Sequence, residues 1–323
     1  MIRTRCYRDG AVVAEGFPIA EVSDFLADPA NTLWFDVCTP DENDLMSVRE
    51  ELGLHTLAVE DAFQPGERPK LDHYSEHLFL NMYSVDVDAT TKQLRSHEVS
   101  LFITKAAIVT VRHEEGFDID AVVARWDALS NLAKSGVGFL LHGLLDFVVD
   151  SHFNAVQELD TEVDSLEDEL FDEQAADVAL QRRTFEVRRS LVDFRRLVLP
   201  MREVVNALLR RDLGVVDDTM TPYYQDVYDH VLRVTEWTES LRDLLANIHD
   251  TRLTMRGNRL NSVMKKVTSW AAIIAVPTAV TGFYGQNVPY PGFGEASGFW
   301  TSTAIIVLLS GGLYIIFKAR DWL

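Results

Sequence analysis

Residues 267–284 read VTSWAAIIAVPTAVTGFY, and residues 298–317 read GFWTSTAIIVLLSGGLYIIF. Neither stretch contains an Asp, Glu, Lys or Arg, over 18 and 20 positions respectively. A helix of that length spans a hydrocarbon core of about 30 Å. The sequence therefore predicts a two-helix transmembrane hairpin, and a pair of buried helices in a soluble protein is the alternative.

Basic residues flank this hairpin on one side only. Lys265 and Lys266 precede the first stretch, Lys318 and Arg320 follow the second, and the connecting segment has no Lys or Arg. Because basic flanks are retained in the cytoplasm, both termini are expected on that side. The pattern is typical of a multi-pass protein of the cell membrane, with the lipid bilayer as a partner.

The composition limits what the rest of the chain can bind. It has 50 acidic and 30 basic residues among 323, a net charge of −20, which favours cations and argues against nucleic acid. Cys6 and Cys38 form no CxxC or Cys/His pattern, so neither a disulfide framework nor a zinc site is indicated. A P-loop, GxSxG and HExxH are all absent from the sequence. We therefore expect neither an enzyme nor an organic cofactor.

A long helix leads into the first membrane span. Thr221-Pro222 is a helix-start signal, and from there apolar residues recur at helical spacing, including Val227, Val231 and Leu241. If Gly257 is tolerated, the helix continues to about Gly285, a rod of roughly 96 Å at about 1.5 Å per residue. Its apolar stripe must pack on other helices or on copies of itself.

A second stripe follows the membrane part of this helix. Small and polar residues recur every three or four positions, which places them on one face. Close helix packing through small residues explains such a stripe, but an amide and a hydroxyl within it also suit a pore lining. The stripe comprises Gly257, Asn261, Met264, Thr268, Ala271, Ala275, Thr278 and Gly282.

The region before residue 219 divides in two. Alternating short apolar runs at 33–37, 77–87, 99–103 and 107–111 predict strands with helices between them. From Gly138 the period becomes helical and predicts a helical hairpin. The hairpin tip is acidic and faces arginines on the returning helix. These acidic residues are Glu158, Asp160, Glu162, Asp164, Glu167, Asp168, Glu169, Asp172 and Glu173.

Several short motifs, in order along the chain, resemble one known family. They are Trp34-Phe-Asp-Val37, Leu57-Ala-Val-Glu-Asp61, Arg68-Pro-Lys-Leu71, Asp226-Val-Tyr-Asp-His230, Asn261-Ser-Val-Met-Lys265 and Tyr284-Gly-Gln-Asn287. Together they resemble the CorA family of magnesium and divalent-cation channels over nearly the whole chain. The family's Gly-Met-Asn motif stands here as Gly-Gln-Asn.

The resemblance implies a fold and an assembly. It implies an α+β cytoplasmic domain, a long stalk helix and a two-helix transmembrane hairpin in a funnel-shaped homopentamer. The corresponding segments are the α/β domain (1–137), the helical hairpin (138–218), the stalk and first span (219–285), an external loop (286–297), and the second span with a basic tail (298–323).

The resemblance also implies roles for residues along the pore. Gly285, Gln286 and Asn287 would form the selectivity filter, which recognises a hydrated cation through carbonyl and carboxamide oxygens. The expected transported ion is Mg²⁺, taken up down its electrochemical gradient. Because Gln286 replaces the family's Met, transport of Zn²⁺, Co²⁺ or Ni²⁺ stays open. The pore and its gate would be lined by Asn261, Met264, Val267, Thr268, Ala271, Ala275 and Thr278.

Five further positions complete the expected site. Glu295, the only charge in the external loop, would concentrate cations at the mouth. Asp88 and Asp226 would bind regulatory intracellular Mg²⁺ and hold the channel closed, although Asp86 lies close to Asp88. The basic tail with Lys318 and Arg320 would face the acidic hairpin tip. A membrane-anchored scaffold that conducts nothing is the alternative of a different class.

Overall fold

The structure, a computed structural model, describes residues 2–170, 177–210 and 213–323. Asp172 and Glu173 of the expected acidic tip lie outside these residues. The chain forms two compact units, Met1–Ala246 and Asn247–Leu323.

The first unit contains a sheet and six α-helices among its described residues, with the start of a seventh. The strands are β1 (Ile2–Arg8), β2 (Ala11–Glu15), β3 (Asn31–Cys38), β4 (Lys70–His73), β5 (Leu78–Val87), β6 (Leu94–Ile103) and β7 (Ala107–Arg112). The helices are α1 (Val22–Leu26), α2 (Glu42–Leu52), α3 (Thr56–Phe63), α4 (Ile119–Ala128), α5 (Val137–Leu170), α6 (Asp177–Leu208) and α7 (Thr221–Tyr284), with 3₁₀ turns at Ile19–Glu21 and Ser130–Ser135. Helix α7 continues into the second unit, which ends with α8 (Ala296–Ala319).

The sheet has seven strands in the order β2-β1-β3-β7-β6-β5-β4. Strands β3 and β7 are parallel, and the other neighbours are antiparallel. Both faces are covered, so the central strands are nearly continuous apolar runs. Trp34 packs with α4 and α5 on one face, whereas its neighbour Phe35 packs with α2 and α3 on the other.

A buried ion pair ties the two parallel strands together. Asp36 on β3 and Arg112 on β7 are both buried, and Arg112 Nε and Nη2 donate to the two carboxylate oxygens at 2.9 and 2.5 Å. Thr110 Oγ1 also donates to Asp36, at 2.7 Å, and Arg112 Nη1 donates to the carbonyl of Phe117 at 3.0 Å. The pair is thus surrounded by hydrogen bonds that compensate its burial.

The outer edge of β5 is closed by a helix where β4 no longer pairs with it. Strand β4 pairs with β5 only as far as Asn81. Beyond that residue, His152 Nε2 on α5 contacts the carbonyl of Tyr83 at 2.8 Å, and Val85 N–H donates to Ser151 Oγ at 3.0 Å. Burial lowers the pKa of His152 to about 4, so the ring is neutral and Nε2 carries the proton.

The predicted helical hairpin is formed by α5 and α6. Arg183 on α6 binds Glu162 at 2.6 Å and also Glu169 on α5. Arg195 binds Glu239 on α7 at 2.5 Å. Two acidic residues of the expected tip, Glu162 and Glu169, are therefore neutralised inside this unit.

The apolar stripe predicted for the N-terminal part of α7 is buried in the first unit. Val227, Val231, Val234, Leu241 and Leu245 all have almost no exposed surface. Helix α7 begins at Thr221, as predicted, and ends at Tyr284, one residue before the predicted Gly285. The apolar stripe therefore explains why this part of the long helix is stable in water.

The second unit consists of the end of α7, a connecting loop and α8. Both helices contain segments long and apolar enough to cross a membrane, and these segments are almost entirely exposed in the single chain. Within the chain, these segments are therefore not helices buried in a soluble core.

Candidate functional site

The polar stripe of α7 lies on an exposed face of the second unit. Met264 in the stripe is 66% exposed, the other stripe residues are exposed as well, and the expected gate residue Val267 is 63% exposed. The covered residues of this span centre on Ser269, which is fully buried, and include the half-buried Ile273 and Val276. At about 100° per residue, the stripe and the covered face lie on nearly opposite sides of the helix. Contacts within the chain therefore leave the stripe uncovered.

Hydroxyl groups in the stripe region bond to their own helix. Thr278 Oγ1 donates to the carbonyl of Ile274 at 3.1 Å, and Thr281 Oγ1 donates to that of Pro277 at 2.8 Å. These bonds use the hydroxyl hydrogens, so the oxygen lone pairs still face outward as acceptors. The stripe therefore presents acceptors, which suit the water shell of a cation.

The expected filter begins where α7 ends. Gly285 N–H donates to the carbonyl of Thr281 at 2.8 Å, and Gln286 N–H donates to that of Phe283 at 3.3 Å. Gly285, Gln286 and Asn287 are all exposed. The two carboxamides therefore lie at the end of the helix that carries the polar stripe.

Glu295 lies at the other end of the connecting loop, at the N-cap position of α8. Its carboxylate accepts a hydrogen bond from Ser297 Oγ at 3.0 Å and remains exposed. The negative charge is favourable there because it adjoins the positive end of the α8 dipole.

The two expected regulatory carboxylates differ in their surroundings. One oxygen of Asp88 accepts the backbone N–H groups of Thr90 and Thr91, and the other binds Arg95. The backbone hydrogen bonds and Arg95 lower the pKa of Asp88. Asp226 is 68% exposed, and its nearest basic partner is His230 at 3.8 Å.

No group of three His, Cys, Asp or Glu side chains among the described residues could hold a metal ion. Asp88 and Asp226 are therefore not brought together as a complete metal site within one chain. A regulatory cation at either carboxylate would need further ligands from water or from another subunit.

The basic tail is held at the end of α8. Lys318 Nζ lies 5.7 Å from the ring centre of Tyr314. After the helix ends, Trp322 N–H donates to the carbonyl of Phe317 at 2.9 Å and the two rings stack. Lys318 and Arg320 thus follow the second span directly, as expected from the sequence.

A family profile described as "CorA-like Mg2+ transporter protein" matches residues 29–319. The chain belongs to the CorA family. Members of this family are transporters or channels and not enzymes, so the chain is a divalent-cation transporter of the membrane.

Individual CorA relatives cover most of the chain. It is 28% identical over 299 residues to the cobalt/magnesium transport protein CorA of Thermotoga maritima, covering 92% of this chain and 85% of the relative. It is 24% identical over 309 residues to the zinc transport protein ZntB of Pectobacterium carotovorum, covering 91% and 85%. The complete structure of the CorA magnesium transporter from Methanocaldococcus jannaschii superposes with a TM-score of 0.78 at 20% identity, covering 100% and 99%. The CorA fold of the whole chain is thereby confirmed.

One cluster near the expected CorA regulatory region was not predicted from the sequence. His97 on β6 contacts Asp86 through Nε2 at 2.8 Å and Glu114 through Nδ1 at 2.7 Å. A Cβ atom at Gly116 would lie 2.0 Å from the ring, so the ring fits only beside a glycine. No short motif signals this cluster, because its members come from three separate segments.

We expect the His97 cluster to make stability depend on pH. Partial burial opposes the charge, but hydrogen bonds to Asp86 and Glu114 raise the pKa of His97 above its ordinary value. The contribution of the cluster to the free energy of unfolding is therefore complete below about pH 6.5, the pKa of the histidine in the unfolded chain. It disappears as the pH rises through the pKa of His97 in the folded chain. It should amount to less than about 1 kcal/mol because both carboxylates are half exposed.

The measurement compares urea midpoints of the full-length protein and His97→Gln in detergent at pH 6 and pH 8. The natural protein should have the higher urea midpoint, and the difference from His97→Gln should be larger at pH 6. A difference that is the same at both pH values would show that the His97 ring does not form a charged hydrogen-bonded pair.

Proposed function

We propose that five copies of this chain form a channel in the cell membrane that takes up Mg²⁺ down its electrochemical gradient. The observation that carries the proposal is the polar stripe of α7, which faces away from the covered side of the helix, together with the exposed Gly285, Gln286 and Asn287 that follow the helix end. Two spans per chain can enclose a pore only by assembly, and a ring of α7 helices would place each stripe residue around one axis.

In this assembly, α7 and the residues that follow it would provide a filter, a gate and the pore wall between them. Asn287 and the carbonyls beside it would accept hydrogen bonds from the water shell of Mg²⁺, which this ion releases reluctantly. Met264 and Val267 would form apolar rings that stop conduction by dewetting, with Asn261 as the polar ring on the cytoplasmic side. Thr268, Ala271, Ala275 and Thr278 would line the wall between the filter and the gate, and Glu295 would concentrate cations at the mouth.

The same proposal gives the chain its orientation and its regulation. Segments 1–137 and 138–218 would form the cytoplasmic part, segment 219–285 the stalk and pore helix, segment 286–297 the external loop, and segment 298–323 the second span with its basic tail. Both termini would be cytoplasmic, because the basic residues flank the spans on that side. Intracellular Mg²⁺ at Asp226 or Asp88 would offset repulsion between carboxylates of neighbouring subunits and favour the closed state.

A second candidate cargo is a transition metal ion such as Zn²⁺ or Co²⁺. Two observations favour it: Gln286 in place of the family's Met, and the similarity to a zinc transport protein. An amide oxygen beside the filter offers an additional ligand, although amide oxygen is also a ligand that Mg²⁺ accepts.

Ion uptake into liposomes tests the proposal. The purified protein is reconstituted and uptake of Mg²⁺, Co²⁺ and Zn²⁺ is measured with an imposed membrane potential, beside protein-free liposomes. We expect potential-driven Mg²⁺ uptake that slows when Mg²⁺ is first loaded inside. Uptake of Zn²⁺ without uptake of Mg²⁺ would show that the second candidate cargo is the transported ion. No uptake of any ion would favour the non-conducting scaffold.

A further inference from the structure

The loop after the filter is folded around Tyr290. The Tyr290 hydroxyl donates a hydrogen bond to the main-chain carbonyl of Tyr284 at 2.8 Å. Its ring packs edge-on against Tyr284 and Phe293, with centroids 5.0 and 5.2 Å away, and lies 6.3 Å from Phe283. The side chain therefore bridges the end of α7 and the connecting loop.

This hydrogen bond fixes one particular peptide group. The carbonyl of Tyr284 and the N–H of Gly285 belong to the same planar unit. The N–H is held by the carbonyl of Thr281 at 2.8 Å, and the carbonyl is held by Tyr290. Without the hydroxyl, this carbonyl at the helix end would lose its side-chain partner, and the peptide plane would be held only through the Gly285 N–H. The plane leads directly into Gly285, Gln286 and Asn287.

Tyr290 is itself anchored on the side of α8. Phe293 N–H donates to the carbonyl of Tyr290 at 3.0 Å, and Glu295 N–H donates to that of Gly292 at 3.1 Å. A Cβ atom at Gly298 would lie 2.4 Å from the Gly292 carbonyl oxygen, so the loop touches α8 at a position that only glycine allows. The loop thus contacts both α8 and the end of α7.

We infer that Tyr290 is a positioning residue for the filter and sets the affinity of the channel for the cation that it carries. The inference rests on the proposed function, because it needs Gly285, Gln286 and Asn287 to bind that cation. Tyr290 does not touch the ion in this arrangement. Its hydroxyl orients the peptide that precedes the filter, and its ring holds that hydroxyl in place.

The test is the Tyr290→Phe variant in the liposome assay, with Mg²⁺, or with Zn²⁺ if the natural protein carries that ion. The ring is kept and only the hydrogen bond is lost, which is worth about 0.5–1.5 kcal/mol. We expect the half-saturating ion concentration to rise about 2- to 12-fold by that conversion. The maximal rate should change less than about twofold, because the loss falls on ion binding.

Two controls separate the hydroxyl from general packing. Tyr314→Phe removes a hydroxyl elsewhere in the same unit, and Phe293→Leu weakens the ring contacts of Tyr290 but keeps its hydroxyl. Tyr314→Phe should leave the half-saturating concentration within about twofold of the natural value, and Phe293→Leu should raise it by less than Tyr290→Phe does. The assembled oligomer is verified for each variant by size before reconstitution.

The outcomes are distinct. The inference is overturned if Tyr290→Phe has the same half-saturating concentration as Tyr314→Phe, or if Tyr290→Phe lowers only the maximal rate. It is also overturned if Phe293→Leu raises the half-saturating concentration as much as Tyr290→Phe does, or if Tyr290→Phe is the one variant that fails to assemble. Absence of uptake by the natural protein would instead overturn the proposed function.

Discussion

Replacing Asn287 by Ala is expected to reduce ion uptake at least tenfold. In the proposed filter, the carboxamide oxygen accepts hydrogen bonds from water bound to a divalent cation. A hydrogen bond to a charged group is worth about 1.5–3 kcal/mol, and about 1.4 kcal/mol corresponds to a tenfold change in occupancy. Alanine removes this acceptor from every subunit at once, and the exposed position leaves no buried cavity behind.

The matched control for this variant is Val288→Ala, an exposed neighbour without a hydrogen-bonding side chain. It should transport like the natural protein in the same liposome assay. Gln286→Met, which restores the family's residue, then compares the rates of Mg²⁺ and Zn²⁺ uptake. Undiminished uptake by Asn287→Ala would remove Asn287 from the filter, whatever ion is carried.

Replacing Asp36 by Ala is expected to lower the free energy of unfolding by about 3–5 kcal/mol. The carboxylate is the buried partner of Arg112, which would keep its charge and lose two of its hydrogen bonds. Urea unfolding of the full-length protein in detergent measures the change. Buried Trp34 reports the transition by fluorescence, since its indole N–H lies 3.3 Å from Thr110 Oγ1 beside the pair.

Two comparisons show whether burial causes the effect. Asp120→Ala breaks an ion pair with Arg3 in which the Asp120 side chain is 79% exposed, and it should cost less than about 1 kcal/mol. The double variant Asp36→Ala/Arg112→Met removes the buried charge as well and should be more stable than Asp36→Ala alone. An equal loss for Asp36→Ala and Asp120→Ala would contradict the expectation.

Local periodicity was sufficient to predict the membrane part and the central strands. The two spans and the long helix α7 depend on the spacing of apolar residues within one segment, so their positions could be predicted from the sequence. The runs at 33–37, 77–87, 99–103 and 107–111 fall within or overlap β3, β5, β6 and β7.

Strand β1 was not predicted, because its arginines interrupt the apolar pattern expected of a strand. Arg3 and Arg5 alternate with uncharged residues, and they are neutralised by Asp120 and Asp127 more than 100 positions away. The guanidinium of Arg3 also lies over the Trp34 ring at 5.9 Å. A long side chain can cover apolar surface in this way while its charge stays solvated, so local polarity gave the wrong signal.

The candidate site divides in the same manner. The α7 stripe could be predicted because one helix carries all of it, and its residues are exposed in the structure. The contact between Tyr290 and Tyr284 and the His97 cluster depend on how separate segments meet. The spacing of residues along the sequence does not predict such contacts, so these residues were identified only from the three-dimensional structure.

The closure of the β5 edge by Ser151 and His152 has a consequence for neighbouring molecules at the membrane surface. An unpaired strand edge is a template on which another polypeptide can add a strand, and this is a common route to aggregation. Here the carbonyl of Tyr83 and the N–H of Val85 are already bonded to a helix. Copies of the chain crowded on one bilayer therefore cannot polymerise through this edge unless α5 first detaches.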